Sequence, residues 1–153
     1  MIESKDISFN IIPLTEGEID KSLELKSEAF NDISTPSKIF NVVLKEKLMN
    51  EEYIVFGAYY KGQLIGGSFV TYLDIKDEST LLIEYIFIKK EYRRQGIATR
   101  LMKYIFDNKE IIEKMFSREF NKCIINPITK GEKELYQKMG FKDDEMIFMS
   151  RSM

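Results

Sequence analysis

The sequence predicts an α/β (α+β) domain in which a mixed sheet is flanked by helices. Three observations lead there. Leu81 to Ile88 is apolar and β-branched apart from Glu84 and Tyr85, with neither glycine nor proline, which suits a central strand. Ile97, Leu101, Tyr104 and Ile105 then recur at helical spacing. Strand-like and helix-like stretches follow the order β-α-α-β-β-β-α-β-α-β, which calls for helices packed against a sheet. With 153 residues the chain is one domain's worth, so residues 1–153 are expected to share one core.

Ile7 to Leu14 is a short apolar run ending at Pro13, suited to an edge strand. Thr15-Glu16-Gly17-Glu18 has capping-box spacing and opens a helix whose Ile19, Leu23 and Phe30 share a face. Residues 31–34 break that helix, and Thr35-Pro36 starts a second, with the stripe Ile39, Phe40, Val43, Leu44, Lys47 and Leu48. Tyr53 to Tyr60 and Leu64 to Leu73 read as a hairpin closed by Lys61-Gly62-Gln63. Gly66-Gly67 within it implies a bulge or a close backbone approach. Asp74 to Thr80 reads as a polar turn. The helical period from Ile97 persists through Ile111, Ile112, Met115 and Phe116, giving one long helix or two broken near Asn108. A strand over residues 122–126 stops at Pro127. Gly131 to Met139 forms a helix ending on a left-handed Gly140, and Glu145 to Arg151 supplies a last strand.

Composition narrows the function. A net charge of −2 argues against a general nucleic-acid binder, although basic residues concentrate at Lys89 to Arg94. No histidine and one cysteine leave no ligand set for zinc and no base for Ser–His or Cys–His catalysis. The lone Cys123 cannot form an internal disulfide and reads as a small core residue in a reducing, cytoplasmic setting. The N-terminus lacks a signal-peptide core, and no apolar run reaches the roughly 18 residues of a membrane span.

The basic stretch Arg93-Arg94-Gln95-Gly96-Ile97-Ala98 lies where a helix begins. A helix start presents unpaired N–H groups and the positive end of the dipole, a combination that holds phosphate. No Gly-Lys-Ser/Thr makes it a Walker loop, and three glycines for a dinucleotide fingerprint are missing. These six residues resemble the (Q/R)xxGx(G/A) acetyl-CoA signature of the GNAT superfamily of N-acetyltransferases. Leu135-Tyr136-Gln137-Lys138-Met139-Gly140-Phe141 is similar to the same superfamily's LYxxxGF ending. The two motifs stand in the family's order, and the resemblance covers about residues 50 to 150. It implies a GNAT-like acyl-CoA N-acyltransferase fold: a mixed, mostly antiparallel sheet of about six to seven strands.

The resemblance further implies acetyl-CoA as co-substrate, no metal, and attack by a primary amine of an acceptor that the sequence does not identify. Backbone N–H groups from Arg94 through Gln95, Gly96, Ile97 and Ala98 to Thr99 would seat the pyrophosphate, with Arg93 adding attraction. Gly96 permits close approach because it has no Cβ. The pantetheine amides would pair with Ile86, Phe87 and Ile88 as an added strand, provided that edge lacks a full partner. Glu84 is the acid inside the strand, either a general base or a side chain on a wet edge. Tyr136 is the thiolate's proton donor in the family pattern, or an amphipathic ring packing on its helix. The family often places asparagine where Thr129 stands. Asn126, three residues earlier, either contacts CoA from a shifted loop or ends its strand.

The acceptor groove is expected between Phe30 to Thr35 and Tyr72 to Asp74. The fold also admits a non-catalytic acyl-CoA-binding or regulatory module, and relatives of such a fold are often homodimers. Neither nucleic acid nor membrane is an expected partner.

Overall fold

A computed structural model of the chain describes residues 4–30, 35–125, 130–143 and 149–153. Strand β1 (Ile7–Ile11) leads to helices α1 (Glu16–Phe30) and α2 (Thr35–Met49). Strands β2 (Ile54–Tyr60), β3 (Gln63–Ile75) and β4 (Glu78–Ile88) form the centre. Helices α3 (Ile97–Asp107) and α4 (Lys109–Phe116) precede β5 (Lys122–Ile125), α5 (Lys130–Lys138), β6 (Lys142–Asp143) and β7 (Met149–Ser152). One open sheet of 7 strands runs β1-β2-β3-β4-β5-β7-β6. Its pairs are antiparallel save the parallel β4–β5 pair. The mixed sheet flanked by helices is the expected one.

Local chemistry sets the elements. The Glu18 N–H donates to Thr15 Oγ1 at 3.4 Å, one half of the expected capping box. Lys61 and Gly62 both have positive φ, 49° and 80°, so the β2–β3 turn follows the right-handed twist of its strands. The polar run read as a turn over residues 74–80 behaves differently. Here β3 continues to Ile75 and β4 starts at Glu78, and only Lys76-Asp77 turn, with φ of 50° and 64°. Asp74 faces Ser79 across the ladder and accepts its hydroxyl proton. Polar residues extend a strand comfortably where both faces are wet.

At Asn108 the long helical period divides into α3 and α4. Its side-chain amide donates to the Tyr104 carbonyl at 2.8 Å and so competes with the helix ladder. Helix α5 ends as the sequence predicts. Gly140 has φ +94°, the Phe141 N–H donates to the Tyr136 carbonyl and the Gly140 N–H to that of Gln137. Residues 144–148 of the expected last strand lie outside the described residues.

Two apolar layers grip the sheet. Phe56, Val70, Leu81 and Ile83 face Leu101, Met102 and Ile105 of α3, Ile112 of α4 and Tyr136 of α5. On the other face, Val55, Phe69 and Phe87 meet Ile19, Leu23 and Ala29 of α1 and Leu44 and Leu48 of α2. Each buried ring or branched side chain contributes about 1.5–3 kcal/mol of burial. The predicted α2 stripe is only half used. Leu44 and Leu48 are buried, whereas Ile39, Phe40 and Val43 are exposed. The first half of α2 instead meets α1 through polar groups, Asn41 donating to Ser27 Oγ and accepting from Lys26.

The paired glycines allow close approach. A Cβ on Gly67 would lie 2.8 Å from the Phe56 carbonyl oxygen and 2.9 Å from the Phe87 ring. The register shift falls beside them, where Ala58 pairs with Gly66 but Tyr59 with Leu64.

Candidate active site

The candidate site lies along the second half of β4, beyond its described pairing with β5. Their parallel pairing covers Leu81 to Ile83 on β4 and goes no further among the described residues. Meanwhile β3 stays paired with β4 up to Ile88. The Lys89 N–H donates to the Ile65 carbonyl, and the Phe87 carbonyl faces Gly66. Antiparallel alternation therefore directs the N–H and C=O of Ile86, and those of Ile88, away from β3, toward the β5 side of β4. The next residue of β5, Asn126, lies outside the described residues.

A bulge in the β3–β4 pairing lies at the same place. Phe69 pairs with Tyr85 and Val70 with Ile83, leaving Glu84 as the extra residue. The bulge sends consecutive side chains to one face. Glu84 accepts a hydrogen bond from the phenol of Tyr53, and Tyr85 packs against Phe69 and Phe30. Burial, and then the Glu84 carboxylate, raise the Tyr53 phenol's pKa well above the ordinary range.

A cleft of about 1200 Å³ lies along this stretch. Ile86, Phe87 and Ile88 line it along β4, and Arg93, Arg94, Gly96, Ile97, Ala98 and Thr99 line it around the start of α3. Leu135 and Tyr136 of α5 close the opposite wall. Ten residues singled out from the sequence thus meet in one place. Gln95 and Glu84 are not among the lining residues, and Asn126 lies outside the described residues.

Gly96 occupies the N-cap position of α3 with φ +75°, and no side chain caps the helix. Nothing lies within 4 Å of where its Cβ would be, so the space above the turn is open. Arg94 is also left-handed, with φ +62°. An uncapped N-terminus beneath open space keeps donors for an anion. Arg93 turns the other way, back into the fold. Its Nε donates to the Ile88 carbonyl at 3.0 Å, and an Nη donates to the Ala29 carbonyl at the end of α1. Arg93 therefore ties the turn to α1 and occupies one of those β4 carbonyls.

Tyr136 is only 3% exposed, and burial, assisted by Glu132, raises its phenol pKa far above the usual value. Its ring also packs on Phe141, so lining the cleft and filling the core coexist. Cys123 is buried and its thiol is likewise pushed up by burial, the state of an inert core residue.

Of the two segments expected to form the acceptor groove, Phe30 of the first lines the cleft and the second does not. Tyr72 packs on Phe116 and Phe120, and residues 72–74 do not line the cleft. Residues 31–34 lie outside the described ones. The lining there comes from Lys26, Ala29 and Phe30 of α1, Phe40 of α2 and Tyr85. Lys26 escaped the sequence reading although its spacing on α1, three from Leu23 and three from Ala29, places a charge on the apolar face. Tyr92, Gly131 and Glu132 complete the lining. Among the described residues no group of three or more His, Cys, Asp or Glu would hold a metal, and no helix is long and apolar enough to cross a membrane.

Comparison with known proteins agrees with this geometry. Residues 51–143 match the family model described as an acetyltransferase (GNAT) domain. The fold is similar to the PaiA N-acetyltransferase of Thermoplasma acidophilum in complex with coenzyme A, at TM-score 0.69 and 19% identity, covering 96% of this chain and 99% of that one. It is also similar to a GNAT family acetyltransferase of Elizabethkingia anophelis with acetyl-CoA bound, at TM-score 0.68 and 19% identity, covering 98% and 100%. A third likeness is to ribosomal-protein-alanine N-acetyltransferase of Brucella melitensis biovar Abortus 2308, at TM-score 0.69 and 17% identity, covering 92% and 94%. No curated protein sequence matches the chain.

Proposed function

Because the chain belongs to the GNAT acetyltransferase family, we propose that it moves the acetyl group of acetyl-CoA to a primary amine by direct attack in a ternary complex. One observation carries the reading. A single cleft runs from the open turn at Gly96, along Ile86 to Ile88 of β4, to Tyr136.

The residues suit each part of such a substrate. The first-turn N–H groups of α3 and the dipole of that helix would take the pyrophosphate. The Ile86 N–H and C=O and the Ile88 N–H would take the pantetheine amides in the manner of a strand. The Ile88 carbonyl already accepts from Arg93 and contributes less.

The acetyl thioester supplies the electrophile, and the chain supplies position and proton transfer. A new C–N bond forms as the C–S bond breaks. A main-chain N–H on the β5 side of β4 stabilises the oxygen that gains charge. The amine must lose a proton, because an alkyl ammonium has a pKa of about 10. Glu84 would accept it through water, since its carboxylate is held by Tyr53 beside the cleft rather than within its lining. The departing thiolate would take the Tyr136 proton. Burial keeps that phenol protonated throughout the neutral range, so it gives up the proton only to a base placed against it.

The test is incubation with acetyl-CoA and a broad amine panel, reading free thiol, together with thermal shift on adding CoA. Thiol release that depends on the amine supports the transfer reading. Thermal stabilisation without release from any amine would leave an acyl-CoA-binding module, and no stabilisation would remove the cofactor site altogether.

A further inference from the structure

Helix α1 ends without a basic residue in its last turn, and Glu28 adds a negative charge there. The last carbonyls of a helix lack partners inside it and carry the negative end of its dipole, so they call for a cation. Arg93 supplies one from 64 residues away, an Nη donating to the Ala29 carbonyl. Its Nε donates at the same time to the Ile88 carbonyl at 3.0 Å. A guanidinium carries its donors in a rigid fork, so one side chain can hold two carbonyls in a fixed relation. The main chain of Arg93 is anchored as well, its N–H donating to the Lys90 carbonyl at 3.3 Å. One residue thus joins the end of α1, the end of β4 and the turn that leads to Gly96.

The joined elements have different duties in the cleft. Arg93, Arg94 and Gly96 line it where the phosphates of CoA would sit. Ala29 and Phe30 bring the end of α1 to the same cleft, and the Phe30 ring lies 6.2 Å from that of Tyr85. Phe30 belongs to the segment expected to meet the acceptor. A ligand that fixes the turn therefore fixes the backbone from which Arg93 reaches α1. A ligand shifts a conformational equilibrium only through contacts that differ between its states, and the Arg93 bridge is such a contact.

We propose that Arg93 is a positioning residue that couples the cofactor turn to the acceptor end: CoA seated at Gly96 fixes the last turn of α1 through the Arg93 side chain. This rests on the CoA site of the reading above and not on acetyl transfer itself. Coupling between two sites is reciprocal. An acceptor that uses the end of α1 binds the CoA-loaded protein more tightly than the free protein, by the same factor that it tightens CoA. With donors committed to two carbonyls, Arg93 serves as a brace more than as a ligand of phosphate.

The experiment follows amide hydrogen exchange by mass spectrometry in the wild-type protein and in Arg93→Met, each with and without CoA. Calorimetry on each protein first sets a CoA concentration that saturates it. Exchange reads local opening, so peptides from the last turn of α1 report the acceptor end and those from the first turn of α3 report the phosphate turn. In the wild-type protein CoA should slow exchange in both by about threefold or more. In Arg93→Met the last turn of α1 should exchange faster without CoA, and CoA should slow α3 alone. Slowing at α3 but not at α1 in the wild-type protein would overturn the coupling, whatever the variant's folding. Slowing at α1 that survives Arg93→Met would overturn it as well, since it would come from direct contact with CoA and leave Arg93 a merely structural brace. If CoA gives neither heat nor slowing in the wild-type protein, the cofactor site and the coupling fall together. Coupling without thiol release from any amine would uphold the role of Arg93 and sink acetyl transfer instead.

Discussion

The phenol of Tyr53 donates to the carboxylate of Glu84 at the residue where β4 bulges. A carboxylate on an unbulged strand would alternate between faces with its neighbours. Here Glu84 and Tyr85 share one, which leaves Glu84 beside the cleft with a fixed orientation.

Tyr53→Phe deletes only the hydroxyl. Hydrogen bonds to a charged group contribute about 1.5–3 kcal/mol, and Glu84 is half-buried, so solvent makes up part of the loss. Destabilisation of about 1 kcal/mol is expected in urea unfolding. If Glu84 accepts the amine's proton, losing the phenol that orients it should lower kcat while leaving the affinity for CoA unchanged. An unchanged kcat would detach Glu84 from proton transfer.

Alkaline pH should unfold the protein through its buried phenols and thiol. Tyr53, Tyr136 and Tyr59 have pKa values raised from 10.0, and Cys123 from 9.0, in each case first by burial. In the folded state these groups hold protons that the unfolded chain has released. Their stabilisation is full below the ordinary values and is lost as pH rises past them. Urea midpoints measured from pH 8 to 11 should hold steady to about pH 9 and then fall. Tyr136→Phe should flatten the fall. A midpoint that stays level to pH 11 contradicts this account.

Gly67 has no room for even one methyl group. The added carbon would press on the Phe56 carbonyl, which is backbone and cannot turn aside. Gly67→Ala should cost about 1–3 kcal/mol, the range for overpacking a filled core. Gly17→Ala, with nothing within 4 Å, is the matched control and should stabilise α1 slightly.

Gly96 presents the opposite case, an open space with a constrained backbone. Gly96→Ala meets no atom but must hold φ +75°, which costs an L-residue about 1–2 kcal/mol. Gly96→Glu adds a carboxylate where the phosphates would lie. CoA affinity measured by calorimetry should fall a few-fold in the first and become undetectable in the second, with the fold retained in both by circular dichroism. Full affinity in Gly96→Glu would remove the phosphate cradle.

Much of this is legible in the sequence. Gly96 among basic residues at a helix start, and Leu135 to Phe141 as one motif, located both walls of the cleft. Periodicity gave α3 with α4 and the half of α2 that is buried. What periodicity cannot express is which apolar face finds a partner: Ile39, Phe40 and Val43 share the spacing of Leu44 and Leu48 yet remain exposed. The bulge at Glu84 was equally hidden, because it depends on the register between two strands and not on either alone. Arg93 reads from its position as a source of attraction for phosphate, and its bonds to Ala29 and Ile88 depend on where α1 ends in space. Lys26 leaves a trace, a charge at an apolar position of α1, but the Tyr85 and Phe40 rings beside its ammonium depend on the fold.

Tyr136 separates packing from chemistry most cleanly. Its ring fills the core beside Phe141, and its main-chain carbonyl accepts the Phe141 N–H that seals the end of α5. Neither contact uses the hydroxyl. Tyr136→Phe keeps the ring and should therefore preserve the fold and the affinity for CoA. Loss of a positioned general acid typically slows turnover by about 10²-fold or more. The informative measurement is kcat alongside the CoA dissociation constant, with the same amine in both proteins. A slow variant that binds CoA normally would assign the hydroxyl to proton transfer, while wild-type kcat would reduce Tyr136 to a piece of the core.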